Sequence, residues 1–175
     1  NYKSLIVKIK QKNPDLVYFG GTTQTNAGQI AKDMVSGGLN AKLLVPDGCF
    51  ETAFIESAGK ENVEGRAFIT FGGVPPKELK GKGKEFYENY KKKYNAEPEA
   101  YAAYGYESAK IVLDAIRRAA RKDRAAILAA VAQTKDFDGV LGKWSFDANG
   151  DTSLRIMSGN TVKNGEFQFV KILGK

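Results

Sequence analysis

Three short stretches carry residues whose types and spacing could do chemistry. "DLVYFGGTTQTNAGQI", Asp15 to Ile30, sets a short apolar run against Gly20-Gly21, then the hydroxyl and amide side chains of Thr22, Thr23, Gln24 and Thr25, then a helical pattern. Strand, Gly-rich turn and helix are the parts of a phosphate cradle. The stretch lacks the G-x-x-x-x-G-K-[ST] spacing and its lysine, and there is no G-x-G-x-x-G, so nucleotide binding is disfavoured. "PDG" holds one carboxylate, Asp47, between two turn-forming residues. It can receive a ligand's ammonium through a charge-assisted hydrogen bond or cap the helix that follows, and the local sequence leaves both open. "DANGD" offers oxygen ligands at Asp147, Asn149 and Asp151. Its Gly150 comes too early for a calcium loop, and Thr152 and Ser158 stand where the loop glycine and the bidentate Glu belong. A hairpin turn is the better reading.

The inventory removes other chemistry. Cys49 is the one cysteine and histidine is absent, which excludes intramolecular disulfides, Cys or His zinc sites, Ser-His-Asp triads and Cys-His dyads. Without a histidine to activate it, and with Asp47 near enough to raise its pKa, Cys49 reads as a packed side chain. No catalytic residue, metal or cofactor is expected.

The elements that must position these residues follow from period and punctuation. Leu5, Ile6 and Ile9 give one face to an opening helix that "NPD" stops before a strand at Leu16 to Phe19. A second helix over about 26–36 carries Ala27, Ile30, Ala31 and Met34 and ends at Gly37-Gly38. "AKLLVPDG" is a strand, "FETAFIESAG" a helix and "GRAFITFGG" a third strand. Strands alternating with helices predict a parallel sheet with helices on both faces, with ligands held at the carboxyl ends of the strands. "GGVPP" marks a crossing segment. Three helical patterns follow with no strand between them, and then a β-rich section with turns at Asn149-Gly150 and Asn164-Gly165.

Composition is that of an ordinary globular chain: 175 residues, 42% hydrophobic and 27% charged, without an apolar run near the length of a membrane span. The net charge of +7 invites a nucleic-acid reading. Its lysines, however, are interleaved with Glu85, Glu88, Glu97 and Glu99, and its arginines gather around a helix end, so solvated faces are expected and nucleic acid is not.

The pieces in order, "NPDLVYFGG", "GGLNAKLLVPDG", "AGKENVEGRAFIT", "EAYAAYGYESAKIVLDAI", "DFDGVLGKWSFDANGD" and "VKNGEFQFVKI", resemble the carboxyl-terminal half of a branched-chain amino acid (Leu/Ile/Val) binding protein, the type I periplasmic receptor of an ABC transporter. The resemblance covers essentially the whole chain. It implies an α/β, periplasmic binding protein-like I fold in three α/β/α layers. Residues 1–71 with 158–175 would form the second lobe and residues 72–157 a largely helical part of the first. An amino acid would be held in the cleft and delivered to a transporter permease, in the periplasm or on a lipid-anchored receptor.

By the same resemblance Thr22 sits at the ligand where these receptors often carry an aromatic, Asp47 matches the acid that pairs with the α-ammonium, and Tyr101 lines the side-chain pocket from the other lobe. Thr23 and Gln24 are neighbours. Thr22 in place of an aromatic and Asp47 in place of the usual Glu put leucine specificity in doubt, and other small amino acids, amides or organic acids are credible cargoes. The first half of the receptor has no counterpart here, so the chain reads as a fragment whose helical faces at Ile111, Val112 and Ile116 have reduced cover, and self-association is an expectation. The rival readings are an enzyme or a ligand-sensing regulator on a doubly wound sheet, which fold alone cannot separate from a receptor.

Overall fold

The structure, a computed structural model, describes residues 1–174, which pack as two compact units: Asn1–Val74 together with the stretch from Ile156 onward, and Pro75–Arg155.

In the first unit β1 (Leu16–Tyr18), β2 (Lys42–Val45) and β3 (Ala67–Gly72) run parallel, and β6 (Met157–Lys163) and β7 (Glu166–Leu173) continue the sheet antiparallel, in the order β1-β2-β3-β6-β7. The α/β class is as expected, but the sheet is mixed rather than parallel throughout. A strand that returns through a two-residue turn must pair antiparallel, and "VKNGEF" supplies one: Asn164 and Gly165 both have positive φ, as a type I′ turn requires. Glu64 accepts from both turn amides, at 2.7 and 3.1 Å.

Helices flank this sheet. The links β1-α2-β2 and β2-α3-α4-β3 step across the sheet in one direction, and right-handed crossovers made that way leave their helices on one face. Those helices are α2 (Ala27–Ser36), α3 (Thr52–Ala58) and the short α4 (Lys60–Val63), with α1 (Lys3–Lys10) packed beside α2. Register confirms the sidedness. Leu43 lies beside Ala67, and Val45 beside Ile69, which faces Asn160; all are buried. The alternate set, including Leu16, Tyr18, Phe68 and Met157, is exposed. Buried as well are Ala27, Ile30, Ala31 and Met34 of α2 and Phe54 and Ala58 of α3. Helix α2 stops through Leu39 N–H to Met34 C=O and Gly38 N–H to Val35 C=O, with Gly38 in the left-handed region and Leu39 buried beyond it.

The second unit has α5 (Lys82–Tyr94), α6 (Ala102–Ala119), α7 (Arg124–Ala132) and the small hairpin of β4 (Phe137–Gly139) and β5 (Gly142–Trp144). One face of α6 is buried at Ala103, Glu107, Ile111 and Ala115, a spacing of four throughout. Ile111 is therefore covered, contrary to expectation, whereas Val112 and Ile116, on the other side of the helix, are 45% and 43% exposed. Glu107 is an acid on the apolar stripe. Its carboxylate accepts from Val140 N–H (2.8 Å), Trp144 Nε1 (2.9 Å) and Leu141 N–H (3.4 Å), and so fastens the hairpin to the helix.

"DANGD" is a turn: Asp147 Oδ1 accepts from the amides of Asn149 and Asp151, and Phe146 bridges to Thr152. The arginines at the end of α6 are partly spent on Asp114, which Arg117 and Arg118 both hold. Among the described residues no helix is long and apolar enough to cross a membrane.

Candidate functional site

Parallel pairing of β1 with β2 delivers their following loops to the same edge of the first unit. After β1 the chain forms a 3₁₀ turn, Thr23–Thr25, held by Thr22 N–H to Thr25 Oγ1 at 2.8 Å, and turns into α2 through Asn26 in the left-handed region. After β2 it forms a second such turn, Asp47–Cys49, led by Pro46 in an extended conformation.

The two loops are joined side by side. Thr23 Oγ1 donates to Gly48 C=O at 3.4 Å, Cys49 Sγ lies 3.8 Å from Gly21 C=O, and Gln24 Nε2 donates to Glu51 Oε1 at 2.8 Å. The approach at Gly48 leaves no room for a side chain, since a Cβ there would sit 2.7 Å from Thr22 Cγ2. Gly21 is required for packing of its own loop: a Cβ would meet the Phe19 ring and Thr25 Oγ1 at 2.6 Å. Packing within the loop is by itself enough to demand glycine at position 21.

Asp47 is exposed, and its Oδ1 accepts from Gly48 N–H at 3.1 Å. The residue at the start of α3 is Glu51, so Asp47 does not cap that helix. Glu51 does not cap it with its side chain either; the carboxylate turns to Gln24 instead. Cys49 is fully buried. Loss of solvation, followed by the negative charges of Glu51 and Asp47 and opposed by a hydrogen bond with Thr23, pushes its thiol up to about 11. It is a packed, protonated side chain at ordinary pH.

Thr22, Thr23, Gln24 and Asp47 thus come together at one edge of the first unit. Tyr101 belongs to the second unit, where it precedes α6, is half exposed, and has Tyr104 edge-on at 6.5 Å. None of the five lines the cleft of about 280 Å³ between α5, α6 and the β4–β5 hairpin, whose walls include Phe86, Tyr106, Lys82 and Asp138. Two residues escaped the sequence reading. Glu51 could have been found as an acid at a helix start immediately after a "PDG" turn, and Glu107 as an acid on the α6 apolar stripe. Among the described residues no group of three or more acids and cysteines is placed to hold a metal.

A sheet of parallel strands carrying polar, glycine-containing loops at their carboxyl ends belongs to the class of open α/β folds that hold small ligands at that edge. The chain belongs to the periplasmic binding protein family, which matches it over residues 1–165. It is 35% identical over 156 residues to Leu/Ile/Val-binding protein homolog 2 of Brucella abortus, a match covering 88% of this chain and 40% of that protein. Among solved structures, it superposes on a leucine binding protein of Thermotoga maritima with a TM-score of 0.89 at 32% identity, covering 99% of this chain and 49% of the other. A branched-chain amino acid transporter substrate binding protein of Streptococcus pneumoniae, solved with isoleucine, gives 0.86 at 29% identity, with 99% and 48% covered. The chain therefore spans 40% to about half of the length of these relatives.

Proposed function

We propose that the chain is the ligand-gripping part of an extracytoplasmic receptor that captures a small amino acid, branched-chain or closely related, and hands it to an ABC transporter permease. The observation that carries the reading is the pair of joined loops at the carboxyl ends of β1 and β2, with Asp47 exposed at their edge. One carboxylate among hydroxyl and amide groups suits an ammonium. It supplies neither a base and nucleophile pair nor an electrophile for catalysis, so the role is capture without turnover. Asp47 takes the α-ammonium, and Thr22 and Thr23 border it. Relatives named for leucine, isoleucine and valine support the ligand class. Thr22 is a small residue for that position, and the pocket accordingly accepts a range of side chains.

Isothermal titration of the full-length protein with leucine, isoleucine, valine and alanine tests the reading. At least one binds, and Asp47→Asn weakens it by about 2 kcal/mol or more, as a charge-assisted pair becomes a neutral contact. No binding by any of the four overturns the ligand class; unchanged affinity in Asp47→Asn removes that residue from the grip.

A further inference from the structure

We infer that Glu51 is a positioning residue. It turns the Gln24 amide so that its oxygen, and not its nitrogen, faces the ligand edge, adding a second acceptor for the ammonium beside Asp47. The inference rests on the amino-acid reading above.

A primary amide can present either two donors or an acceptor, and an isolated glutamine on an exposed loop presents both by turning about its last bond. An ionised carboxylate accepts only. Glu51 Oε1 lies 2.8 Å from the Gln24 amide, so the atom toward it must be Nε2, and Oε1 of Gln24 is directed away. Glu51 can do this because it stands at the start of α3 in an extended conformation and leaves that helix without a side-chain cap. The arrangement is held on both sides of Gln24. Thr23 is bonded to Gly48, and the Thr22–Thr25 turn closes at 2.8 and 3.0 Å, so the Gln24 backbone is set before its side chain is.

Chemically, the edge then offers acceptors. The three loops that follow the parallel strands, residues 19–26, 46–51 and 73–74, contain no lysine or arginine; their charged residues are Asp47 and Glu51. A ligand group bearing several N–H donors, an ammonium, satisfies Asp47 and Gln24 together. A hydroxyl in the same place has one proton and satisfies one of them. Discrimination between an α-amino acid and the 2-hydroxy acid of the same skeleton is the property that Glu51 should control without touching either ligand.

The test uses the full-length protein with leucine, isoleucine, valine and alanine, taking the tightest binder and its 2-hydroxy acid analogue as the pair of probes. Titration calorimetry is run on wild type, Glu51→Ala, Gln24→Ala and the double variant, with melting temperature as the check on folding. Glu51→Ala should weaken the amino acid about tenfold or more, the worth of one hydrogen bond to a charged group, and leave the hydroxy acid within twofold. The double variant should be no weaker than Gln24→Ala alone, because both act through one amide. Equal weakening of amino and hydroxy acid in Glu51→Ala, or additive losses in the double variant, would overturn the inference and leave the receptor reading standing. So would an unchanged amino acid affinity. A wild type that binds none of the four amino acids removes both.

Discussion

Replacing Glu107 by alanine tests whether one buried carboxylate holds the β4–β5 hairpin to α6. The side chain is only 2% exposed and accepts three hydrogen bonds, two of them short and buried: Val140 N–H at 2.8 Å and Trp144 Nε1 at 2.9 Å. Truncation strands both donors away from water. A buried donor left without a partner costs about 1 to 3 kcal/mol, so two together cost about 2 to 6 kcal/mol, with the 3.4 Å contact to Leu141 adding little. Against the 5 to 15 kcal/mol typical of a domain, that is a large share. Trp144 is the only tryptophan in the chain and is itself a partner of the carboxylate, so its fluorescence reports the region directly. Urea unfolding followed at that signal should show a midpoint lowered by an amount equal to this loss divided by the slope, and a red-shifted native emission as the indole loses its acceptor. Glu107→Gln, which keeps one acceptor oxygen and sets an amide nitrogen against the remaining donors, should fall between wild type and Glu107→Ala. A loss under 1 kcal/mol in Glu107→Ala with native emission unchanged would refute the reasoning, because it would mean that water replaces the carboxylate without penalty.

Three further outcomes follow. Thr22→Tyr should move the ligand ranking toward smaller side chains by about 1 to 3 kcal/mol, since the Thr22 methyl is already packed on Gly48, and an unchanged ranking across alanine, valine and leucine would remove Thr22 from the pocket. Asp33, buried on α2, accepts from the Tyr2 amide and from Gln29. The Tyr2 bond, ahead of the opposing cost of burial, holds its carboxyl below the usual aspartate value. A lowered native pKa means that this contribution is complete above the ordinary aspartate range and is lost as pH falls through the lowered value, so the Tyr2 amide resonance should titrate below that range and be flat in Asp33→Asn. The 175-residue chain by itself should self-associate at micromolar concentration and bind amino acids weakly, because Leu16, Tyr18 and Phe68 on the sheet, and Val112, Leu113, Ile116 and Leu128 in the second unit, are exposed apolar surface. Sedimentation equilibrium showing a monomer would count against it.

What the sequence determined by itself is what short range controls. The helix over 27–36 is written in Ala27, Ile30, Ala31 and Met34 at spacings of three and four and in its terminal glycines, and the Asn164-Gly165 turn in the two residues that tolerate positive φ. The exclusion of histidine and disulfide chemistry is inventory, and "DANGD" betrayed itself as a turn by the wrong position of its glycine. The polar loop and Asp47 were legible as separate features of two strand ends. Tertiary structure decided how they meet. Whether a strand pairs parallel or antiparallel, and which face its helices cover, depends on partners dozens of residues away, so β6 and β7 turned a parallel expectation into a mixed sheet and one-directional crossovers left the Tyr18 face uncovered. Ile111 and Val112 are neighbours in sequence and both β-branched aliphatics, yet a turn of about 100° separates their faces, and only packing chose which one is buried. The bond from Gln24 to Glu51, 27 residues apart, has no local signature, because it exists only once β1 and β2 lie side by side.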